Sequence, residues 1–136
     1  MFGPAAALLA SGEASLEDCG PVVDPETVTP LLLPLPEVAP GSIEAMAWWV
    51  DHFGNVQTNV SPEEMALAGI TDAQTVTVRV GASGYEIPWV RSYGEVGEGE
   101  LLVHVDGSGL MAIAVRHGSA AETLNLAEGQ SVRFTS

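Results

Sequence analysis

The chain has 136 residues, 46% of them hydrophobic, and carries 18 acidic against 4 basic side chains for a net charge of −14. That length suits one ordinary domain with a real core, and the composition is too apolar for disorder over most of the span. The acidic balance, without a single lysine or any basic stripe, argues against nucleic acid or an anionic membrane surface as partner.

No stretch approaches the roughly 18 consecutive apolar residues of a membrane-spanning helix, and the N-terminus lacks the basic start of a signal peptide. Cys19 is the only cysteine, which leaves no disulfide framework and fits a reducing cytoplasm. His52, His104 and His117 lie far apart, without metal-ligand spacing, so no metal or other cofactor is expected.

In chain order, residues 4–19 favour helix in their first half: Pro4 suits a first helical turn and Gly12 a helix end. So short and alanine-rich a helix needs something to pack against, and residues 1–19 read as the last helix of a missing upstream domain. Residues 20–40 are punctuated by Pro21, Pro25, Pro30, Pro34, Pro36 and Pro40, which rules out regular helix or a central strand. This is a stiff linker. Its Leu31, Leu32, Leu33 and Leu35 suggest that it lies against a surface.

From residue 41 to 136 the pattern changes to short strands and turns. Ile43 to Trp49 is an apolar run that reads as a buried strand, and Val56 to Val60 alternates as a half-buried strand does. Ser61-Pro62-Glu63-Glu64 is a capping box with proline at the first helical position, opening a helix that ends near Gly69. Thr75–Val80 alternates cleanly, Gly81–Gly84 turns the chain, and Tyr85–Tyr93 reads as a further strand with Pro88 marking an edge or bulge. After the acidic loop Gly94–Gly99, Leu101–Val105 and Leu110–Val115 flank the hairpin turn Asp106-Gly107-Ser108-Gly109. Ser119–Leu126 suits one or two helical turns and Ser131–Phe134 a last strand. The fold class expected is all-β: a closed or nearly closed, Greek-key-like barrel of about seven short strands, preceded by a short helix and the Pro-rich linker.

Residue chemistry alone supplies no mechanism. Ser108 stands in Gly-Ser-Gly but not in a Gly-x-Ser-x-Gly elbow, and the glycines complete no dinucleotide or phosphate loop. The stretch Val50–Asn59 gathers an acid, an imidazole, an aromatic ring, a glycine and two amides between two strands. That composition fits a small-molecule contact, and equally an Asx turn in which Asp or Asn bonds its own backbone.

Three motifs carry a resemblance. Asp51-His52-Phe53-Gly54-Asn55-Val56-Gln57-Thr58-Asn59 resembles the Asp-x-Phe-Gly-Asn-x-x-Thr-Asn segment of the S-adenosylmethionine hydroxide adenosyltransferases. Those are adenosine-forming S-adenosylmethionine hydrolases related to the fluorinating and chlorinating enzymes. The run from Gly107 to Ala121 resembles that family's Ser-Gly-x-x-x-Ile-Ala-Val segment ending in Gly-Ser-Ala-Ala. Phe2-Gly3-Pro4-Ala5-Ala6-Ala7 resembles the helix that closes the family's N-terminal α/β domain. The three motifs follow in the family's order and span nearly the whole chain.

The resemblance implies the C-terminal barrel of a homotrimeric hydrolase that splits S-adenosylmethionine into adenosine and methionine with water as nucleophile. It implies a substrate lying between this barrel and the N-terminal domain of a neighbouring subunit. By correspondence, Asp51 holds the ammonium of the methionine part, Asn55 pairs with the adenine edge, and Phe53 and Tyr93 pack around adenine. The backbone at Gly107 and Ser108 faces the methionine carboxylate, and His117 falls where main chain meets the adenine edge. A side-chain amide offers a donor and an acceptor in one plane, worth about 1–3 kcal/mol of discrimination in the analogous DNA contact. Aromatic stacking adds about 1–3 kcal/mol with little selectivity.

Ser108 and Gln57 stand where the halogenating relatives carry arginine and tryptophan, which favours the hydrolase branch. The family's water-activating and ribose-binding residues belong to the N-terminal domain, so no catalytic residue is expected here and the isolated chain is expected to be inactive. The alternatives are a non-enzymatic adenosine-binding or assembly module, and an acidic structural barrel without a nucleoside.

Overall fold

The computed structural model describes residues 2–29, 33–70 and 75–136. The chain divides into two compact units, Met1–Leu33 and Pro34–Ser136. Leu31 and Leu32 of the apolar linker group lie outside the described residues.

In the first unit, helix α1 spans Phe2–Ser11 and buries no residue. Gly12, at φ +74°, ends it, and the N–H groups of Gly12, Glu13 and Ala14 turn back onto the carbonyls of Leu9 and Leu8. That satisfies carbonyls which a helix end leaves orphaned. Two single 3-10 turns follow, Glu17–Cys19 and Pro25–Thr27, the second capped by the Asp24 carboxylate on the Glu26 N–H.

The second unit is a nearly closed antiparallel barrel. Its strands are β1 (Glu37–Ala39), β2 (Ser42–Val50), β3 (Val56–Thr58), β4 (Thr75–Val80), β5 (Ser83–Pro88), β6 (Leu101–Val105), β7 (Met111–Val115) and β8 (Ser131–Thr135). Seven of them run in the order β5-β4-β8-β2-β3-β7-β6, and β1 pairs with β2 off this path. A parallel bridge from Trp89 to Val103, with the Val90 N–H on the Val103 carbonyl at 2.9 Å, brings the end of β5 against β6 and all but closes the ring. Three hairpins build it (β2–β3, β4–β5 and β6–β7), with β8 inserted between β4 and β2. The Greek-key-like barrel expected from strand spacing is the fold observed.

Two short helices lie in the links from β3 to β4 and from β7 to β8. Helix α2 (Pro62–Leu67) begins with the full capping box of Ser61 and Glu64 and ends at Gly69, at φ +77°. It buries Met65, while Ala68 just past its end packs inward too. Helix α3 (Ala120–Leu124), capped by Ser119, buries Ala120 and Leu124. The core centres on Phe134, Ile43, Met65, Ile70, Ile87 and Ile113, all with 1% exposure or less. Each such side chain contributes about 1.5–3 kcal/mol over leaving it in water. Among the described residues the one buried polar side chain is Thr58, whose hydroxyl donates to the Met111 carbonyl at 2.8 Å.

Three local expectations are corrected. The run Ile43 to Trp49 is not buried throughout: Ile43, Ala45 and Ala47 point inward, whereas Trp48 and Trp49 are both exposed. The register shifts between Ala47 and Trp49, and this bulge spoils the alternation that would have hidden one of them. The strand expected over Tyr85–Tyr93 ends at Pro88, and Tyr93 belongs to a 3-10 turn, Tyr93–Glu95. Leu35 is exposed rather than pressed onto the barrel. No helix among the described residues is long and apolar enough to cross a membrane.

Candidate functional site

Two turns of the same construction frame the site. In the β2–β3 turn, the Asp51 N–H donates to the Asn55 carbonyl and the Gly54 N–H to the Asp51 carbonyl. Asp51 Oδ1 accepts the Phe53 and Asn55 N–H groups, both at 2.9 Å. In the β6–β7 turn, Asp106 and Leu110 exchange the same bond, the Gly109 N–H donates to the Asp106 carbonyl, and Asp106 Oδ1 accepts from Ser108 and Leu110. Gly54 and Gly109 stand at φ +82° and +81°. This is the three-residue hairpin with a left-handed closing residue, which favours glycine there because an L side chain is strained. Asp-x-x-Gly, in both sequences, encodes it.

Each aspartate then fixes one carboxamide, that of Asn55 just before β3 or that of Gln57 within it. Asn55 Nδ2 donates to Asp51 Oδ2 at 2.8 Å, and Gln57 Nε2 donates to Asp106 Oδ2. Burial pushes the Asp51 carboxyl pKa up, but the Asn55 amide, the Asn55 and Phe53 N–H groups and His52 outweigh it and hold it below the usual value. For Asp106 burial is likewise outweighed, by the Gln57 amide, the Leu110 and Ser108 N–H groups and His104. Both turns therefore carry stable negative charge.

Between the turns, strand register lays out a row across four strands: Trp49 beside Gln57, Gln57 beside Ala112, Ala112 beside His104. Its alternating neighbours Val56, Ile113 and Val103 are fully buried in the core, so the row faces outward. Tyr93 leans over this face. Its hydroxyl lies 3.4 Å from His104 Nε2 and the two rings are 5.2 Å apart. Burial, then the charges of Asp51 and Asp106, raise the Tyr93 pKa, so it is a neutral phenol at neutral pH.

The segment after β7 joins the first turn directly. The Ala121 N–H donates to the Gly54 carbonyl at 3.0 Å, and Gly54 packs face to face with Ser119. His117 takes a left-handed φ of 57° in the turn between Val115 and Gly118, and its exposed ring lies 3.2 Å from Glu98.

Two adjoining hollows result. One of about 280 Å³ is lined by Trp49, Asp51, Asn55, Gln57, Tyr93, His104, Asp106, Gly107, Ser108 and Ala112. The other, about 690 Å³, is lined by Asp51, Phe53, Asn55, Tyr93, Val115, His117, Gly118 and Ser119. They share Asp51, Asn55 and Tyr93. All seven residues singled out in the sequence (Asp51, Phe53, Asn55, Tyr93, Gly107, Ser108 and His117) line one or the other. Asn55 and His117 share one end of the barrel, while the Gly107–Ser108 turn stands at the opposite end of β7. The site is thus a stripe along the barrel's outer wall, framed by no single rim. A further hollow of about 510 Å³, lined in part by Val80, Tyr85, Asn125 and Gln130, contains none of the motif residues and no acid or base but the Tyr85 phenol. Among the described residues no group of three or more His, Cys, Asp or Glu side chains is placed to hold a metal ion.

Asp106, His104, Gln57 and Trp49 belong to the site without having been chosen from the sequence as its residues. Asp106 had a signal, the repeated Asp-x-x-Gly spacing. His104 and Trp49 had none, because only cross-strand register puts them beside Gln57.

The sequence pattern of the SAM hydroxide adenosyltransferase C-terminal domain matches residues 46–133. This chain belongs to that family. It is 39% identical over 137 residues to the (R)-S-adenosyl-L-methionine hydrolase of Salinispora tropica, covering 99% of this chain and 48% of the relative. It is 28% identical over 124 residues to the fluorinase of Actinopolyspora mzabensis, covering 88% of this chain and 42% of that enzyme. A crystal structure of an uncharacterized conserved protein from Thermotoga maritima superimposes with a TM-score of 0.79 at 32% identity, covering all of this chain and 51% of that one. The chain spans about half the length of these relatives.

Proposed function

We propose that this chain is the substrate-binding barrel of an adenosine-forming S-adenosylmethionine hydrolase, working with an N-terminal α/β domain of a neighbouring subunit in a homotrimer. The observation that carries the reading is the meeting of the Asp51–Asn55 turn with the 107–119 segment around one continuous outward-facing stripe. The hydrolase named for the Salinispora relative supplies the reaction class.

The roles follow from what the site leaves unpaired. Asn55 spends one amide hydrogen on Asp51 and keeps the other, with its carbonyl oxygen, for a ligand. One donor beside one acceptor, rigidly held, matches an adenine edge. Phe53, 67% exposed with the His52 ring 3.8 Å away, and Tyr93, 40% exposed, each leave ring surface for stacking on the base. The Asp51 carboxylate gives negative charge for the methionine ammonium, by the lone pair that Asn55 leaves on Oδ2. At the other turn, Asp106 already takes the Ser108 N–H, so a ligand carboxylate would use the Gly107 N–H and the Ser108 hydroxyl. The exposed, free Cys19 suits a reducing cytoplasm.

An open wall positions substrate without polarising water behind the ribose carbon. Orientation supplies roughly 7–11 kcal/mol of a barrier only when both reactants are held. The purified chain is therefore expected to release no adenosine from S-adenosylmethionine, and to bind adenosine no better than millimolar, because an open stripe leaves most of a ligand wet. Mixing it with the N-terminal half of a hydrolase relative should restore turnover. Turnover by the 136-residue chain alone would overturn the division of labour, and adenosine binding with no turnover in the mixture would favour a non-enzymatic binding module.

A further inference from the structure

We infer that Glu128 is a positioning residue of the substrate site, its carboxylate fixing the Asp51–Asn55 turn from the side that no strand covers. The inference rests on the reading above, in which that turn holds the ligand.

Strand β2 changes partners along its length. It pairs with β8 from Ser42 to Met46, and with β3 from Ala47 to Val50. The last backbone bonds on the β8 side run from the Ala47 N–H to the Gln130 carbonyl and from the Gly129 N–H to the Ala47 carbonyl. Beyond them, among the described residues, no strand pairs with that side of β2. The Asp51 N–H points across the hairpin to the Asn55 carbonyl, so the Val50 N–H, one residue earlier, points the opposite way. Glu128 Oε1 accepts it at 2.9 Å from 78 positions along the chain. A side-chain acceptor thus stands in for the missing strand, directly before Asp51.

The reach of Glu128 is set by its own turn. The Gln130 N–H donates to the Ala127 carbonyl at 3.2 Å, Gly129 stands at φ +82°, and Gln130 Oε1 accepts the Ala127 N–H at 2.8 Å. Glu128 occupies the second position of that closed turn. The same connecting segment holds the far end of the Asp51 turn, where the Ala121 N–H meets the Gly54 carbonyl. Residues 121–130 therefore grip Ala47, Val50 and Gly54, and at Val50 the grip depends on one side chain. Asp51 and Asn55 are bonded to each other, so without Glu128 they swing together. Both stay near the ligand but lose a fixed direction, on which hydrogen bonds depend.

The test compares three variants. Glu128→Ala removes the acceptor, Glu128→Asp shortens the arm by one methylene, and Glu128→Gln keeps an oxygen while losing the charge. In the chain combined with the N-terminal half of a hydrolase relative, the first two should raise the KM for S-adenosylmethionine roughly 10-fold with kcat little changed, and Glu128→Gln should stay within about 2-fold. In the chain alone, the same two should speed hydrogen exchange of the Val50 amide roughly 10-fold, and Glu128→Gln should not. A KM rise in Glu128→Gln equal to that in Glu128→Ala would make charge the cause and overturn the inference. Faster exchange with an unchanged KM would overturn it too, leaving Glu128 a structural contact. No turnover by the unsubstituted combination defeats the reading of the site and this inference with it. Turnover intact, with exchange unmoved by Glu128→Ala, defeats this inference alone.

Discussion

Gly54 lies so close to Ser119 that a Cβ added to it would stand 2.6 Å from the Ser119 Cβ and 3.0 Å from its Cα. Sixty-five positions apart in the chain, these two residues weld the first motif to the second, and the Ala121 N–H on the Gly54 carbonyl completes the seam. Gly109 occupies the same place in the twin turn at nearly the same φ, yet nothing lies within 4 Å of its added Cβ. The pair separates strain from contact. Gly109→Ala should lose about 1–2 kcal/mol, the cost of a left-handed alanine. Gly54→Ala adds a clash with backbone and should lose about 2–5 kcal/mol. Thermal melts of both variants would measure this, and equal losses would mean that the seam yields.

The twin aspartates make an acid-sensitive element. Both carboxyl pKa values in the folded chain lie below the ordinary aspartate value. A depressed carboxyl contributes stability that is fully present above the unfolded pKa and is lost as pH falls through the folded one. Stability should therefore hold from neutral pH down to about pH 4 and fall below it. Asp51→Asn and Asp106→Asn should each flatten that fall, as urea titrations at stepped pH would register.

Thr58 and Asn59 belong to the sequence motif but not to the stripe. The Thr58 hydroxyl holds the Met111 carbonyl, Asn59 Oδ1 takes the Met46 N–H, and Asn59 Nδ2 donates to Pro34. Thr58→Val should cost about 1–3 kcal/mol, since it leaves a buried carbonyl unsatisfied. In the combined protein it should leave the KM for S-adenosylmethionine unchanged. A raised KM without loss of stability would assign Thr58 to ligand binding.

Asn55→Ala should act the other way. On the proposed reading it removes, in the combined protein, the side-chain donor–acceptor pair for the adenine edge, and kcat/KM should fall roughly 10- to 100-fold. Tyr93→Leu, which keeps apolar bulk but loses the ring face, should cost about 10-fold in the same assay. Retained activity in Asn55→Ala would move base recognition elsewhere.

The class of fold was legible in local pattern. Strand alternation in Thr75–Val80, the capping box at Ser61 and the hairpin turn at Asp106 each rest on interactions within a few residues, and each appears where the sequence puts it. The motif residues were legible through the family resemblance, and the Asp-x-x-Gly turns that carry several of them rest on their own backbone bonds. What the sequence could not decide is everything that depends on which strand lies beside which. The bulge that exposes both Trp48 and Trp49 follows from pairing with β3, and Tyr93 leaves the strand path beyond the closing bridge at Trp89. His104 reaches the site only because β3 pairs with β7 and β7 with β6, so that a residue 47 positions from Gln57 stands two strands away. Short-range hydrogen bonds and φ preferences are written residue by residue. Cross-strand register is a choice among many pairings of similar local energy, settled only when Phe134, Ile43 and Ile113 are buried together.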